Sequence, residues 1–340
     1  MKSVHYFYRK KNPVFFSIEQ VFGRIAQRMS EEFGKDFKVS EHFLPHPSKL
    51  QHLFPNIRYT RREGGDINHI TGDVHYALLG LGRRRIKVLT VHDCVLLHRF
   101  ARTDPRFWII KWVWHEWPVR KADMVTVISE STKQDLLRFT SCPPEKIRVI
   151  PNFIDPAFCP QPGHPFRQHP RILFVGTTPN KNLDRLAEAM KGLPVELDVI
   201  GRLNEAQTEL LKNHGIAFSQ SHGLSQQELI AHYRDCDIVA FPSTFEGFGL
   251  PVLEGQAIGR PVLTSDLDPM RSVAGKGACL VDPYKVDSIR AGLLRIIEDP
   301  AYRVLLVQEG FFNAAGYSLD AVAAQYAALY KELLLKNNNS

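Results

Sequence analysis

In DIVAFPSTFEGFGLPVLEGQAIGRPVLTS, Asp237 to Ser265, an apolar run, a glycine-rich loop, a helix and a second apolar run follow one another without a break. Residues 237–243 and 260–265 have the length and apolar content of buried strands. Pro251, with its fixed φ and missing N–H, suits the first position of a helix, so Gly247-Phe248-Gly249 is the loop that feeds it. Two strands joined through a helix lie parallel in one sheet, which predicts an α/β fold with crossover helices.

The same pattern continues outward on both sides. Strand-like runs recur at 171–176, 195–201 and 278–283, and earlier at 4–8, 66–71, 86–93 and 124–129. Val14, Phe15, Ile18, Val21, Phe22, Ile25 and Met29 repeat at three and four, the stripe of a core-facing helix. Pro160, Pro162, Pro165 and Pro170 mark a linker between the halves. A chain of 340 residues fits two cores of roughly 150 residues each. The expectation is two Rossmann-like doubly wound domains facing across a cleft, residues 1–155 and 156–317, with a C-terminal helix at 318–335 packing back on the first. In such sheets ligands bind beyond the carboxyl ends of the strands.

Composition narrows the function classes. The five cysteines (Cys94, Cys142, Cys159, Cys236, Cys279) are odd in number and contain no C-x-x-C pair, which argues against a disulfide framework or a zinc knuckle and for a reducing cytoplasm. The N-terminus reaches charge within a few residues and no run of 18 apolar residues occurs, so the expectation is a cytoplasmic protein, soluble or peripheral at the inner membrane face. Residues 1–155 carry 26 Lys and Arg against 16 Asp and Glu, the remainder 17 against 20. The basic half would suit an anionic membrane surface or a phosphorylated substrate, or is simply solvated. Its basic residues form only short clusters such as Arg83-Arg84-Arg85 with no reading motif, so no nucleic-acid partner is expected.

Glu246 lies in the glycine loop and Glu254 about one turn inside the helix. Acidic residues near a helix N-terminus complement its dipole, by roughly 0.3–1 kcal/mol each. A second reading follows hydrogen-bonding capacity: carboxylates only accept and need hydroxyls, while open backbone N–H groups only donate and suit phosphate oxygens. A ligand with hydroxyls at both ends and phosphates between, such as a nucleotide sugar, satisfies both. Upstream, Gly176 marks a tight turn after the strand 171–176, and Lys181 stands near the next helix start, where a cation is unfavourable with the dipole and calls for an anion.

The runs FVGTTPNKNLDRL (174–186), GLSQQELIAHYRDCDIVAFPSTFEGFGLPVLE (223–254) and VDPYKVDSI (281–289), with TVHD (90–93), VTVISESTKQDL (125–136) and IPNFID (150–155), resemble the retaining GT-B glycosyltransferases of family 4. The resemblance spans roughly residues 66 to 335. It implies that Glu246 holds hydroxyls of the donor sugar and that the amides of Gly247, Phe248, Gly249 and Leu250 face sugar and phosphate. It also implies that Glu254 binds ribose, that Lys181 and the Gly176-Thr177 turn meet the diphosphate, and that His92 lies beside the transferred sugar. Gly72, His75 and Asp93 then fall on the acceptor side. The family transfers sugar with retention, the leaving phosphate assisting front-face attack, with no metal required and no cofactor beyond the nucleotide diphosphate sugar itself.

Three departures stand out. Many members place an arginine after the glycine at 176, where this chain has Thr177; Arg202 is the candidate replacement. The family's glycine-rich loop after the first strand is replaced by RKKNPVFFSIE (9–19), and the family's P-E-V by Arg271-Ser272-Val273. The pairs Asp235/Asp237 and Asp266/Asp268 have D-x-D spacing, but they flank strands where turn-forming aspartates are ordinary, so no metal site is expected. The helix 107–118 holds all four tryptophans, a pattern expected to serve core and interdomain packing ahead of an interfacial belt. His69 and His75 flank Thr71-Gly72-Asp73 as acceptor contacts or as packed histidines.

The resulting expectation is a retaining, metal-independent hexosyltransferase that moves sugar from a nucleotide diphosphate donor to a hydroxyl of a glycan or lipid-linked acceptor in cell-surface polysaccharide, lipopolysaccharide or glycolipid synthesis. Its rivals are a nucleotide-sugar epimerase of the same fold, which would turn over donor without acceptor, and a donor-binding scaffold without turnover.

Overall fold

The computed structural model describes residues 1–11, 17–160 and 164–338, so Val14, Phe15 and Pro162 lie outside the described residues. The chain divides into two compact units, one made of residues 1–153 with the terminal helix Leu319–Asn338, the other of residues 154–318.

In the first unit six strands, β1 (Lys2–Tyr8), β2 (Phe37–Phe43), β3 (Ile67–Ile70), β4 (Ile86–Val91), β5 (Met124–Val127) and β6 (Ile147–Val149), pair in the order β2-β1-β3-β4-β5-β6. Every pairing is parallel. One face packs Tyr6, Ile67 and Val88 against Phe22, Ile25 and Met29 of the helix Ser17–Phe33, together with Tyr326 and Tyr330 of the terminal helix. The other buries Ile70, Leu89 and Val125 against Tyr76, Phe107 and Leu136. Both faces are covered, so β3, β4 and β5 are buried along their whole lengths, and polar side chains among them such as Asn68, His69 and Lys87 are hydrogen-bonded within the unit.

The second unit repeats the design with β7 (Arg171–Val175), β8 (Glu196–Ile200), β9 (Ala217–Ser221), β10 (Ile238–Phe241), β11 (Val262–Ser265) and β12 (Ala278–Val281), ordered β12-β11-β10-β7-β8-β9. Strand order reverses between β7 and β10, the position at which doubly wound sheets receive ligands. The helix Leu250–Ile258 begins after Gly249, whose φ of 108° is left-handed, so Pro251 takes the second helical position and not the first. Gly255 brings this helix close to the sheet: a Cβ there would sit 3.0 Å from methyls of both Val239 and Val262. Gly255→Ala is therefore expected to lower stability by about 1–3 kcal/mol, read as a lower denaturation midpoint. An unchanged midpoint would mean the helix has room to shift.

β2 and β9 form sheet edges and escaped the sequence reading. Their exposed positions include Lys38 and Glu41 in one and Ser219 and Gln220 in the other, on both faces of each strand, which hides the apolar signal. The tryptophan segment is helical but not uniformly so: α-helical turns at Pro105–Ile109 and Trp117–Lys121 enclose a wider π-helical stretch, Ile110–Glu116.

Candidate functional site

In the second unit the loops after β7 and β10, neighbours at the strand-order reversal, are tied together by backbone. Thr244 N–H donates to the Asn180 carbonyl at 2.8 Å, and Asn180 Nδ2 donates to the Phe245 carbonyl at 2.9 Å. That tie sets Lys181 against Glu246, with Nζ 2.8 Å from Oε1; Asn180 Nδ2 reaches the same oxygen at 3.3 Å. The ammonium also sits 4.6 Å from the centre of the Phe241 ring. Gly176 is required twice over: its φ is +92°, and a Cβ would lie 2.8 Å from Lys181 Cε, so the lysine stem runs across bare backbone.

Past Glu246 the chain turns into the helix Leu250–Ile258. The amides of Phe248, Gly249 and Leu250 donate no hydrogen bond among the described residues, as expected at a helix start that keeps its donors for an anion. Phe248 itself is buried, edge-on to Tyr317 with ring centres 6.0 Å apart.

On that helix Glu254 Oε2 accepts a 2.6 Å hydrogen bond from the hydroxyl of Tyr233, leaving Oε1 as an acceptor. Burial pushes the Glu254 carboxyl up to about 7; the Tyr233 bond opposes the rise and Asp155 adds to it. Tyr233 is fully buried and packs edge-on against Phe158. Sequence reading missed Tyr233 and Asn180. Within AHYRDCD the tyrosine reads as an ordinary core residue of a helix, and Asn180 had only its place beside Lys181 to mark it.

Thr177, standing where the resemblance called for arginine, joins two strand ends. Its Oγ1 donates to the Arg202 carbonyl at 2.9 Å, and its methyl lies over Gly201, where a Cβ would be 2.7 Å from Cγ2. The Arg202 side chain is exposed and makes no hydrogen bond or ion pair among the described residues, so it has a charge to offer. Arg202→Ala is expected to weaken nucleotide diphosphate binding several-fold, within the roughly 1 kcal/mol of an exposed ion pair, as read by titration calorimetry. Equal affinity would leave the diphosphate to Lys181 and the amides.

In the first unit His92 follows β4 and donates from Nε2 to the Thr71 carbonyl at 2.7 Å. A carbonyl only accepts, so Nδ1 is left as an acceptor. Burial holds the His92 pKa below its ordinary value against the opposing effect of that bond, which keeps the ring neutral. Gly72 is buried beside the backbone of Arg9, and exposed Asp93 accepts from Val95 N–H at 3.0 Å. His75 is packed inward: its Nδ1 donates to the Trp114 carbonyl at 2.6 Å, and burial lowers its pKa to about 4. His69 is fully buried between Tyr330 Oη, 2.6 Å from Nδ1, and Thr90 Oγ1, 2.7 Å from Nε2. The structure thus gives His69 and His75 the packed role.

Three of the four aspartates in the D-x-D pairs meet arginine, and Asp268 accepts from the Ser272 hydroxyl. Asp235 pairs with Arg167 and Arg171, Asp237 accepts from Arg167 at 2.9 Å, and Asp266 accepts from Arg271 at 2.6 Å. No group of three His, Cys, Asp or Glu side chains stands close enough to hold a metal ion among the described residues.

Residues 161–311 match the family model described as Glycosyl transferases group 1, and residues 22–158 the one described as Glycosyltransferase Family 4. The chain is 27% identical to the MMP alpha-(1->4)-mannosyltransferase of Mycolicibacterium hassiacum, over 86% of this chain and 77% of that protein. It is 25% identical to the O-antigen chain mannosyltransferase B of Escherichia coli, over 62% of this chain and 61% of that one. Among solved structures, Anabaena HepE in complex with UDP and glucose superposes with a TM-score of 0.75 at 14% identity, covering 97% of this chain and all of that chain.

Proposed function

The chain belongs to the GT-B glycosyltransferases, group 1 and family 4 in type, and on that premise we propose that it transfers a hexose-type sugar from a nucleotide diphosphate sugar to a hydroxyl of a glycan or lipid-linked acceptor in polysaccharide biosynthesis. The observation that carries this reading is the joined pair of loops that holds Lys181 on Glu246, beside three open amides, with Glu254 on the helix they start. Each partner of the ion pair stands in for part of the donor. Lys181 occupies the hydrogen-bonding need of Glu246 that a sugar hydroxyl would fill, and Glu246 occupies the charge of Lys181 that a diphosphate would take.

When donor binds, Lys181 and the amides of Phe248, Gly249 and Leu250 take phosphate oxygens, Glu246 accepts from sugar hydroxyls, and Glu254 accepts from ribose. In the transfer step the bond from the sugar's anomeric carbon to phosphate breaks, and its electrons stay on the phosphate oxygen. The acceptor oxygen bonds to that carbon on the same face, and its proton passes to the leaving phosphate, so the configuration is retained. Lys181 and the amides stabilise the charge that builds on the phosphate, where donors fixed in advance count most. His92, neutral with Nδ1 open, offers an acceptor to a hydroxyl.

A thermal-shift screen over nucleotide sugars tests this directly. A ligand at 100 times its Kd stabilises the folded chain by roughly 2.7 kcal/mol, and the donor that does so should release nucleotide diphosphate only when acceptor extract is added. Release without acceptor would instead identify an epimerase or hydrolase. No stabilisation by any nucleotide sugar would sink the reading.

A further inference from the structure

The tryptophan segment does not do what its sequence leads one to expect. Trp108, Trp112 and Trp117 are 45%, 37% and 49% exposed, and Val95, Leu96 and Ile109 are about as open. Only Trp114 turns inward, its indole N–H donating to the Asp73 carbonyl at 2.9 Å and its ring against Tyr76. Soluble surfaces scatter large apolar side chains singly, whereas here six fall in one short stretch whose helices, Val95–Arg99 and the turn at 110–116, pack together. The exposed rings are tied in place: Trp108 N–H donates to the Arg102 carbonyl at 2.9 Å, the Lys111 ammonium lies 5.3 Å from the Trp108 ring centre, and the Trp112 and Trp117 rings are 6.3 Å apart.

We propose that this face, residues 95–117, docks the protein on an anionic lipid bilayer, with Trp108, Trp112 and Trp117 seated at the boundary between acyl chains and headgroups. Indole rings, apolar over most of their surface with one polar edge, prefer that boundary. Charge selects the occupant. Residues 95–117 contain Arg99, Arg102, Arg106 and Lys111 against Asp104 and Glu116, and Glu116 is buried and paired with Arg120, so two copies would repel face to face while anionic headgroups would attract. The Arg83-Arg84-Arg85 cluster is a separate feature, placed before β4 at the opposite end of that strand from His92. The docking face begins directly after His92 and Asp93, at the carboxyl end of β4, which brings that end of the first sheet to the membrane. This suits an acceptor carried by a lipid. That last step rests on the function proposed above; the docking does not.

All four tryptophans of the chain lie in this segment, so tryptophan emission, excited at the red edge where the ten tyrosines do not absorb, reports it alone. With vesicles of phosphatidylethanolamine and phosphatidylglycerol brominated on their acyl chains, emission should be strongly quenched; pure phosphatidylcholine should quench far less. Unchanged emission with the anionic vesicles would overturn the proposal, as would self-association of the chain without vesicle binding. The double variant Trp108→Ser, Trp117→Ser should bind anionic vesicles roughly a hundredfold more weakly, about tenfold per ring removed from the interface, with nucleotide-sugar affinity unchanged. Equal vesicle binding by a folded double variant would also overturn it, and if the variant does not fold, the quenching of the unaltered chain decides. Vesicle binding without any nucleotide-sugar affinity would sink the transferase and leave the docking face standing; donor turnover without vesicle binding would do the reverse.

Discussion

Glu246→Ala is expected to slow sugar transfer about 10- to 150-fold at saturating donor while leaving affinity for the bare nucleotide diphosphate equal or tighter. The rate loss corresponds to one hydrogen bond to a charged group, roughly 1.5–3 kcal/mol. The direction on affinity comes from the ion pair. In the free protein Lys181 is held 2.8 Å from Glu246, so an arriving diphosphate must displace a carboxylate before it gains the ammonium. Without Glu246, Lys181 meets the phosphate unpartnered. Single-turnover kinetics at saturating donor and calorimetry with the nucleotide diphosphate measure the two halves separately. Near-normal transfer would remove Glu246 from the sugar, and a large loss of diphosphate affinity would show the pair supports the loop instead of competing for ligand.

The second large effect is on pH dependence. With its carboxyl pushed up to about 7, Glu254 is protonated in the free protein through the mildly acid range. Ribose hydroxyls donate better to the ionised form, so binding draws the proton off, and nucleotide-sugar affinity should climb from about pH 6 to about pH 8. A nucleotide sugar is the right probe, because its diphosphate is esterified at both ends and has no proton titrating there. Glu254→Ala should flatten the profile and weaken binding about 10- to 150-fold at pH 8, again one hydrogen bond to charge. Stability runs the other way. The folded carboxyl lies above its ordinary 4.5, so between that value and about 7 the unfolded chain binds fewer protons, and stability falls as pH rises through the window and is level above it. Glu254→Ala should remove that slope from denaturation curves. A pH-independent affinity in the unaltered chain would mean the ribose is held elsewhere.

Much of the fold was legible because its central strands are buried on both faces. β4, β5, β10 and β11 announce themselves as largely apolar runs ended by His92-Asp93, serine or proline, and the alternation with helices leaves a doubly wound sheet as the natural outcome. β2 and β9 escaped for the opposite reason, since an edge strand can afford polar side chains. At the site, Lys181 and Glu246 could be picked out by residue type and local geometry, and the structure sets them side by side. What no local pattern could disclose is which partner a side chain finds across the sheet. Tyr233 reaches Glu254 from another helix, and His75 spends its Nδ1 on a carbonyl 39 residues away. Exposure is equally hidden: a helix rich in tryptophan reads as core until its neighbours fail to cover it.

The terminal helix gives the chain an order of assembly. Residues 154–318 are contiguous and carry a complete core, so they can fold as soon as they leave the ribosome. The first unit cannot. Val322, Tyr326, Leu329, Tyr330 and Leu333 fill its interior, and the Tyr330 hydroxyl bridges His69 and Tyr6, at 2.6 and 3.0 Å. Although its strands are the first to be synthesised, that unit must wait through the whole production of its neighbour for the segment that closes it. During that interval the helix Ser17–Phe33 covers only its own part of the face of β1, β3 and β4, and the part that the terminal helix fills stands open, apolar surface of the kind that makes an incomplete fold prone to aggregate.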